Sequence, residues 1–492
     1  MLISLTDNQY KAEEINAELR GAWIDKFREP LKAISGKSLN ELCSEKWKKD
    51  HGEFLVFSFN SAKSDLDRKD NFVYVFSENT NGLPLFQTCN VMGFLGLGDN
   101  LKMQITSRFD KSDKNYFLHY MLQKVCNVAF APNSSSAEEE FFDFLYYLFP
   151  GYLKKACAQG IFRAYVTREY NDANVRGPID VARHIRHNVP FNGKIAYHTR
   201  EYTTDNKITQ LVRHTIEYIR SLNYGNFILT SDNDVRDDVN DIIASTPSYS
   251  KNSRMQVIAR NLHPVTHPYY TAYEPLRKIC LAILLHKKIS YGESDKPITG
   301  ILFDGASLWE EYLAKVFEEH ELGLTHSNNR ENKKGIKIFK GGRDYYPDFY
   351  KKESINNAHD AFVLDAKYKR LCTVKNEASD ESSDDSQDEK NGVYFHYKRE
   401  DLFQMLAYMH SLQAKKAVLV SPYRCDDARR EVLTPDKPKI ALGYGGDISI
   451  IAVPIPVYDN KNDSKKNWEK FKKDMQEIEN RLYAEVMRQM LT

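Results

Sequence analysis

The stretches RDYYPDFY (343–350) and AFVLDAKYK (361–369) decide the reading of this chain. Pro347-Asp348 ends a strand-like aromatic run, sixteen residues intervene, and Asp365-Ala366-Lys367 closes the apolar run AFVL. Two carboxylates projecting from adjacent strands are hard oxygen ligands for Mg²⁺ and leave positions for water and a phosphate oxygen. An ion held there stabilises charge that develops on phosphorus and lowers the pKa of its bound water. Lys367 follows Asp365 by two residues, so on a strand both side chains point the same way. From there the lysine can orient the attacking water or help to deprotonate it.

This is the PD-(D/E)xK pattern of metal-dependent nucleases, and on its own it is a weak signal. Pro435-Asp436 with Asp463-Ser464-Lys465 matches too, but that DSK lies in the polar run DNKNDSKKN with no strand beneath it. The first copy has further support. In ASLWEEYLAKVFEEH (306–320), Leu308, Trp309, Tyr312, Leu313 and Val316 share one helical face. Glu310 lies at the edge of that face, within reach of an ion at the strand ends, and Glu311 falls on the solvated side. In REDLFQMLAYMHSL (399–412), Gln404 and Tyr408 are four apart and share a face away from the Leu402/Leu406/Met409 stripe. They are free there to contact phosphate or support the lysine; taken alone they would be an ordinary surface pair. Arg330, Lys333, Lys334, Lys337, Lys340, Arg343, Lys367, Lys369 and Arg370 interleave with Tyr345, Tyr346, Tyr350 and Tyr368. Such a cluster suits a phosphate-tracking groove, although Lys333–Lys340 suits a solvated loop face equally well.

Outward from this block the chain reads as α/β. Residues 296–492 form a nuclease domain with a central mixed sheet, to which KGIKIFKG, DAFVLDAKYK, KAVLVSPY and DISIIAVPIPV contribute strands. A last helix carries Trp468, Phe471, Met475, Ile478, Leu482 and Met490. Residues 376–392, with seven acids and no apolar stretch, read as a flexible loop. Residues 1–130 read as a strand-rich domain from EFLVFSF, NFVYVFS and LKMQITSRF. Residues 131–295 read as a mostly helical region; Pro150-Gly151 should break or kink its helix at 138–156, and KITQLVRHTIEYIRSL (207–222) supplies another.

Composition narrows the function. The 69 basic against 68 acidic residues give the chain no overall positive field, which leaves a local patch possible. No apolar run approaches the roughly 20 residues of a membrane span, and MLISLTDNQYKAEE has no secretory pattern. Seven scattered cysteines without a C-x-x-C pair fit a reducing cytoplasm and exclude a zinc ribbon. SGKS (35–38) has Leu31 where a nucleotide-binding loop needs its first glycine. GFLGLG (93–98) reads as a β-turn whose glycines take positive φ. The zinc-like spacings of His263/His267 and His184/His187 are undercut by flanking prolines and arginines respectively. No G-x-S-x-G elbow is present.

RDYYPDFY, VLDAKYKR, DLFQMLAYM and KAVLVSPY, in this order, resemble the McrC subunit of McrBC-type modified-cytosine restriction systems. That family carries P-D-(I/F), (L/I)-DAKYK and D-(L/I)-x-Q-(L/M)-x-x-Y, and SLWEEYL resembles the segment that bears its acid, mapping it onto Glu310. GFLGLGDNLKMQITSRF, VRGPIDVARHIR and EYTTDNKITQLVRH are collinear but looser, so the likeness spans roughly residues 85–455. The first 80 residues and the acidic loop have no counterpart, and Pro178 stands at a frequently basic position. The resemblance implies a cytoplasmic Mg²⁺-dependent endonuclease subunit acting on double-stranded DNA with modified cytosine. Its partner would be an McrB-like AAA+ GTPase hexamer that binds the GTP, recognises the base and has its GTPase stimulated by this chain, with the N-terminal part docking. Asp348, Asp365 and Glu310 would serve the metal, Lys367 the water, and Gln404 and Tyr408 the positioning. The alternatives are a non-cutting adaptor that activates a ring NTPase and a repair exonuclease of the same fold.

Overall fold

A computed structural model describes residues 2–8, 13–14, 22–44, 46–47, 54–57, 72–78, 84–97, 101–110, 115–126, 137–222, 225–230, 232–290, 298–327, 335–342, 344–352, 361–374, 388–390, 393–425, 431–441, 445–458 and 464–491. The chain is a mixed α/β protein that divides into two compact units. One comprises 1–125, 131–140 and 291–492; the other comprises 126–130 and 141–290. The first and third stretches of sequence therefore share a unit, and a strand explains why. In order, the strands are β1 (Leu2–Thr6), β2 (Glu13–Glu14), β3 (Phe54–Phe57), β4 (Tyr74–Glu78), β5 (Pro84–Thr88), β6 (Val91–Leu97), β7 (Leu101–Thr106), β8 (Ala164–Asp172), β9 (Ile195–Thr203) and β10 (Ile298–Asp304). β10 enters the N-terminal sheet, whose order is β1-β7-β6-β10-β3, pairing antiparallel to β6 and parallel to β3. Ile3, Leu5, Val91, Leu95, Met103, Ile105 and Leu302 of that sheet form one core with Leu31 and Ile34 of α1 (Ala22–Ile34).

Residues 93–97 of GFLGLG do not form a turn: Val91–Leu97 is a continuous strand, and Gly93, at φ 146°, pairs with both Leu302 and Ile105, while Gly98 lies outside the described residues. Two neighbours supply the ladder that keeps this glycine-rich run extended. Among the described residues, Cys43, Cys89, Cys157, Cys280, Cys372 and Cys425 take part in no disulfide. Among the described residues, no helix is long and apolar enough to cross a membrane.

The rest of this unit is built on a second sheet. Its strands are β11 (Thr325–His326), β14 (Phe349–Lys351), β15 (Phe362–Ala366), β19 (Lys416–Cys425), β21 (Gly446–Pro456) and β20 (Lys439–Ala441), in that spatial order. β15, β19 and β21 run parallel at its centre, and the outer pairs are antiparallel. KGIKIFKG contributes only β12 (Ile336–Lys337), paired with β13 (Asp344–Tyr345) outside that sheet. β16 (Cys372–Val374), β18 (Val393–Phe395) and β17 (Asp388–Lys390) form a small sheet. Asp388–Lys390 thus departs from the expected loop by pairing with Val393–Phe395, while 376–387 and 391–392 lie outside the described residues.

Strand parity sets the two faces of the central sheet. Val363, Ala417, Leu419, Ile448, Ile450 and Ala452 share a core with Met405, Tyr408 and Met409 of the helix Arg399–Leu412. The opposite face meets the helix Gly305–Glu319, where Phe317 packs edge-on against Phe349 at 5.2 Å. Asp304 caps that helix, accepting from the amides of Ala306 (3.0 Å) and Ser307 (3.3 Å). Its expected apolar face is buried in full. Tyr312 and Tyr120 both donate to buried Glu479 of the last helix, Ser464–Leu491, at 2.8 and 2.9 Å. Ser464 and Lys465 open that helix, so the second DSK copy has no strand.

In the other unit, the helix Lys207–Arg220 is capped by Asn206, which accepts from the amides of Ile208 (3.0 Å) and Thr209 (3.4 Å). It packs on the helix Tyr273–Ser290. The helix Ala137–Cys157 runs through Pro150 without ending there. Leu145, Tyr146, Leu148, Phe149, Leu153 and Ala156 are buried on either side of the proline, and that packing offsets the lost hydrogen bond. Besides its helices the region holds β8 and β9, which pair antiparallel over nine residues each.

Candidate functional site

The start of β14 and the end of β15 are brought together by the register of the sheet. Asp348 immediately precedes β14, and β14 runs antiparallel to β15, so Phe349 faces Leu364. That register brings Asp348 beside the end of β15, where Oδ2 accepts from the Ala366 amide at 2.7 Å. Ser327 steadies the same turn: its amide donates to the Asp348 carbonyl at 3.2 Å, and its hydroxyl donates to the Pro347 carbonyl. Asp365 is buried at 1 % exposure, and Lys367 Nζ lies 2.5 Å from its Oδ2.

Lys367 has three further supports. Its amide donates to the Val420 carbonyl (2.8 Å), its Nζ donates to Gln404 Oε1 (2.9 Å), and Asp401 Oδ1 stands 3.6 Å away. Burial by itself would lower the lysine pKa. The carboxylates of Asp365, Asp348 and Asp401 outweigh it and hold the ammonium above its ordinary value. Gln404 in turn donates to the Tyr408 hydroxyl at 3.0 Å. Removal from water pushes the Asp348 carboxyl well above its usual range, and the charges of Asp365 and Glu310 add to that; Lys367 and the Ala366 amide only partly offset them.

Glu310 reaches this region from the other face of the sheet. Trp309 beside it is buried and donates its indole N–H to the Val420 carbonyl at 3.3 Å, the same oxygen that takes the Lys367 amide. Glu310 Oε1 sits 2.9 Å from His326 Nε2, and the imidazole stacks on Phe349 at 4.8 Å. Among the described residues, no three His, Cys, Asp or Glu side chains stand ready as a preformed metal cage.

Sequence reasoning missed two members. Asp401 is buried and accepts from Lys369 Nζ at 2.9 Å as well as facing Lys367. Its signal was present, since it opens the D-x-x-Q-x-x-x-Y run of one helix face. His326 had none, lying in the polar segment LTHSNN.

Other expectations need correction. Tyr408 is buried at 6 %, with Met405 and Met409, so the inward face of its helix is Asp401/Met405/Tyr408/Met409, and Leu402 and Leu406 are only partly covered. The hydroxyl is satisfied by Gln404, which lets the ring sink into the core. Glu311 is half-buried, not fully solvated. Tyr350 and Tyr368 are core residues, so of the four tyrosines only Tyr345 and Tyr346 are exposed. Arg330, Lys333, Lys334 and Arg343 lie outside the described residues.

The family follows from a further comparison. Residues 86–422 match the family described as McrBC 5-methylcytosine restriction system component. The chain belongs to that family. A search of curated proteins found no match. Among solved structures, the chain is similar to a refined half-complex from a tetradecameric assembly of Thermococcus gammatolerans McrB AAA+ hexamers with bound McrC. The identity is 14 %, the coverage 96 % of this chain and 100 % of that one, and the TM-score 0.43. It is also similar to a cryo-EM structure of the T. gammatolerans McrBC complex, with 14 % identity, 65 % and 88 % coverage and a TM-score of 0.29. As a member of the McrBC family, the chain is a restriction-system component, and its matched span takes in Glu310, Asp348, Asp365, Lys367, Gln404 and Tyr408.

Proposed function

We propose that this McrBC-family chain is the DNA-cutting subunit of a modification-dependent restriction complex, with a PD-(D/E)xK nuclease core. The observation that carries the reading is the gathering of Asp348, Asp365 and Lys367 where β14 begins and β15 ends, with Asp348 held on the Ala366 amide. Burial raises the Asp348 carboxyl first, and the neighbouring charges of Asp365 and Glu310 raise it further; clustered carboxylates of this kind favour a divalent cation. Oxygen donors of this hardness suit Mg²⁺, with Asp348 and Asp365 as ligands and Glu310 assisting. Bound there, the ion would polarise the phosphate and supply a water of lowered pKa.

The protein's own part is positioning and charge. Lys367 stays protonated, so its Nζ can donate to the water or to a phosphate oxygen as negative charge grows. Gln404, fixed by Tyr408, limits where that ammonium can point. The GTP and the ring belong to an AAA+ partner, and double-stranded DNA with modified cytosine is the substrate. The surface we assign to the ring is the exposed apolar patch of Val181, Ile185, Val189 and Phe191, at and just beyond the helix Val181–Asn188.

The test uses purified chain, ring partner, GTP, Mg²⁺ and methylated plasmid. Asp365→Ala should abolish cutting while GTPase stimulation persists. Cleavage at the wild-type rate by that variant would remove the assignment.

A further inference from the structure

Arg108 lies just past β7, in the N-terminal part of the chain, yet its guanidinium ends on the DAKYK segment. Nη2 donates to the carbonyl of Tyr368, the residue after Lys367, at 2.6 Å. Nη1 donates to Asp7 Oδ2 (3.1 Å) and to Asn90 Oδ1 (3.2 Å), and Asp7 Oδ1 accepts from the Arg108 amide at 2.5 Å. Both side chains of the pair are buried, at 1 % and 0 % exposure. The neighbours of Arg108 hold the same tyrosine: the Ser107 hydroxyl lies 2.7 Å from the Tyr368 hydroxyl, and Phe109 packs edge-on against its ring at 5.2 Å. There is no slack on the far side. A Cβ on Gly305 would stand 2.9 Å from Tyr368 Cε1, 3.0 Å from Met92 Cε and 3.1 Å from the Asn90 carbonyl.

A buried ion pair needs more than stability to explain it, because an apolar pair of equal volume would serve stability as well. What an apolar pair cannot do is fix a backbone carbonyl. The planar fork of arginine bonds Asp7, Asn90 and the Tyr368 carbonyl at once, and a lysine cannot reproduce that geometry. The peptide on either side of Tyr368 is held from β19, through the Lys367 amide on the Val420 carbonyl and through Ser421 Oγ on the Lys369 carbonyl at 2.6 Å. Arg108 supplies the anchor between them. Lys367 Nζ must be shared among Asp365, Gln404 and Asp401, so a turn of the Tyr368 peptide would redirect it.

We propose that Arg108, held by Asp7, is a positioning residue for DNA cleavage: it fixes the main chain at Tyr368 and thereby sets the place of Lys367 against Asp365. The inference rests on the nuclease reading above and adds the N-terminal strands to the cutting apparatus. The experiment compares wild type, Arg108→Lys and Asp365→Ala, each with ring partner, GTP and methylated DNA over a range of Mg²⁺. Arg108→Lys should fold, melt within a few degrees of wild type and stimulate the GTPase normally. Its kcat should fall about tenfold with the KM for DNA unchanged, in keeping with the cost of small misplacements, and half-maximal cutting should need more Mg²⁺. Wild-type kcat and Mg²⁺ dependence in the folded variant would overturn the proposal, and so would a lost GTPase stimulation, which would make Arg108 a docking residue. If Arg108→Lys does not fold, Ser107→Ala, which removes the hydroxyl that bonds the Tyr368 hydroxyl and the Phe109 amide, must show a lowered kcat at unchanged KM; full activity there overturns the proposal equally. Should Asp365→Ala still cut, the nuclease reading falls and this inference with it. An inactive Asp365→Ala beside a fully active Arg108→Lys removes the clamp alone.

Discussion

At the scale of single residues, the chemistry depends on how burial and neighbouring charges act together. Asp365 pairs with Lys367 and Asp401 with Lys369, while the Asp348 carboxyl is pushed up by burial first and by the charges of Asp365 and Glu310 second. His214 in the other unit shows the opposite logic. Its residue is fully buried, and burial, aided by the charges of Arg254 and Arg213, holds the imidazole pKa down to about 4. The folded protein thus refuses a proton that the unfolded chain takes up near pH 6.5, so stability falls as pH drops through the window from about 6.5 to about 4. At roughly 1.4 kcal/mol per pH unit the full effect is of order 3 kcal/mol. Urea unfolding at pH 7 and pH 5 should show His214→Asn to be less acid-sensitive than wild type; equal acid sensitivity would show that His214 is not the titrating group.

Among the elements, two helices clasp the central sheet with different duties. Arg399–Leu412 brings Asp401 and Gln404 to the lysines from one face, and Gly305–Glu319 brings Glu310 from the other. The short helix Val181–Asn188 does something else. Asp180 caps it, accepting from the Arg183 amide at 3.0 Å, and Arg183 ties it to the carbonyls of Tyr170 and Tyr197 at 2.7 and 2.8 Å. Its polar side is anchored and its apolar side is left bare, with Ile185 58 % exposed. A charge at Ile185 should therefore spare the fold and harm docking. Ile185→Asp is expected to keep the wild-type melting temperature while weakening ring binding at least tenfold by titration, about 1.4 kcal/mol. Unchanged affinity would mean that the ring sits elsewhere.

At the largest scale, the unit that holds both chain ends is organised by β10, which leaves the third stretch of sequence to become an inner strand of the first stretch's sheet. Fragments cut near residue 291 should then fail on both sides, because each loses a strand ladder and buried apolar surface. Fragment 291–492 alone should give no cooperative thermal transition, and a sharp melt would refute the shared core. Much of the site was nonetheless legible beforehand. Helix faces such as Leu308/Trp309/Tyr312, and the common side taken by Asp365 and Lys367, follow from periods of 3.6 and 2 that local sequence alone imposes. The residue types, hard acids beside a lysine, fixed the chemistry that could be considered. The sequence could not place Tyr408 in the core, supply His326, carry a helix through Pro150 or join Arg108 to Tyr368. Each of those was settled by long-range packing, where burial, register and ion pairing act between residues far apart in the chain and leave no periodic trace in it.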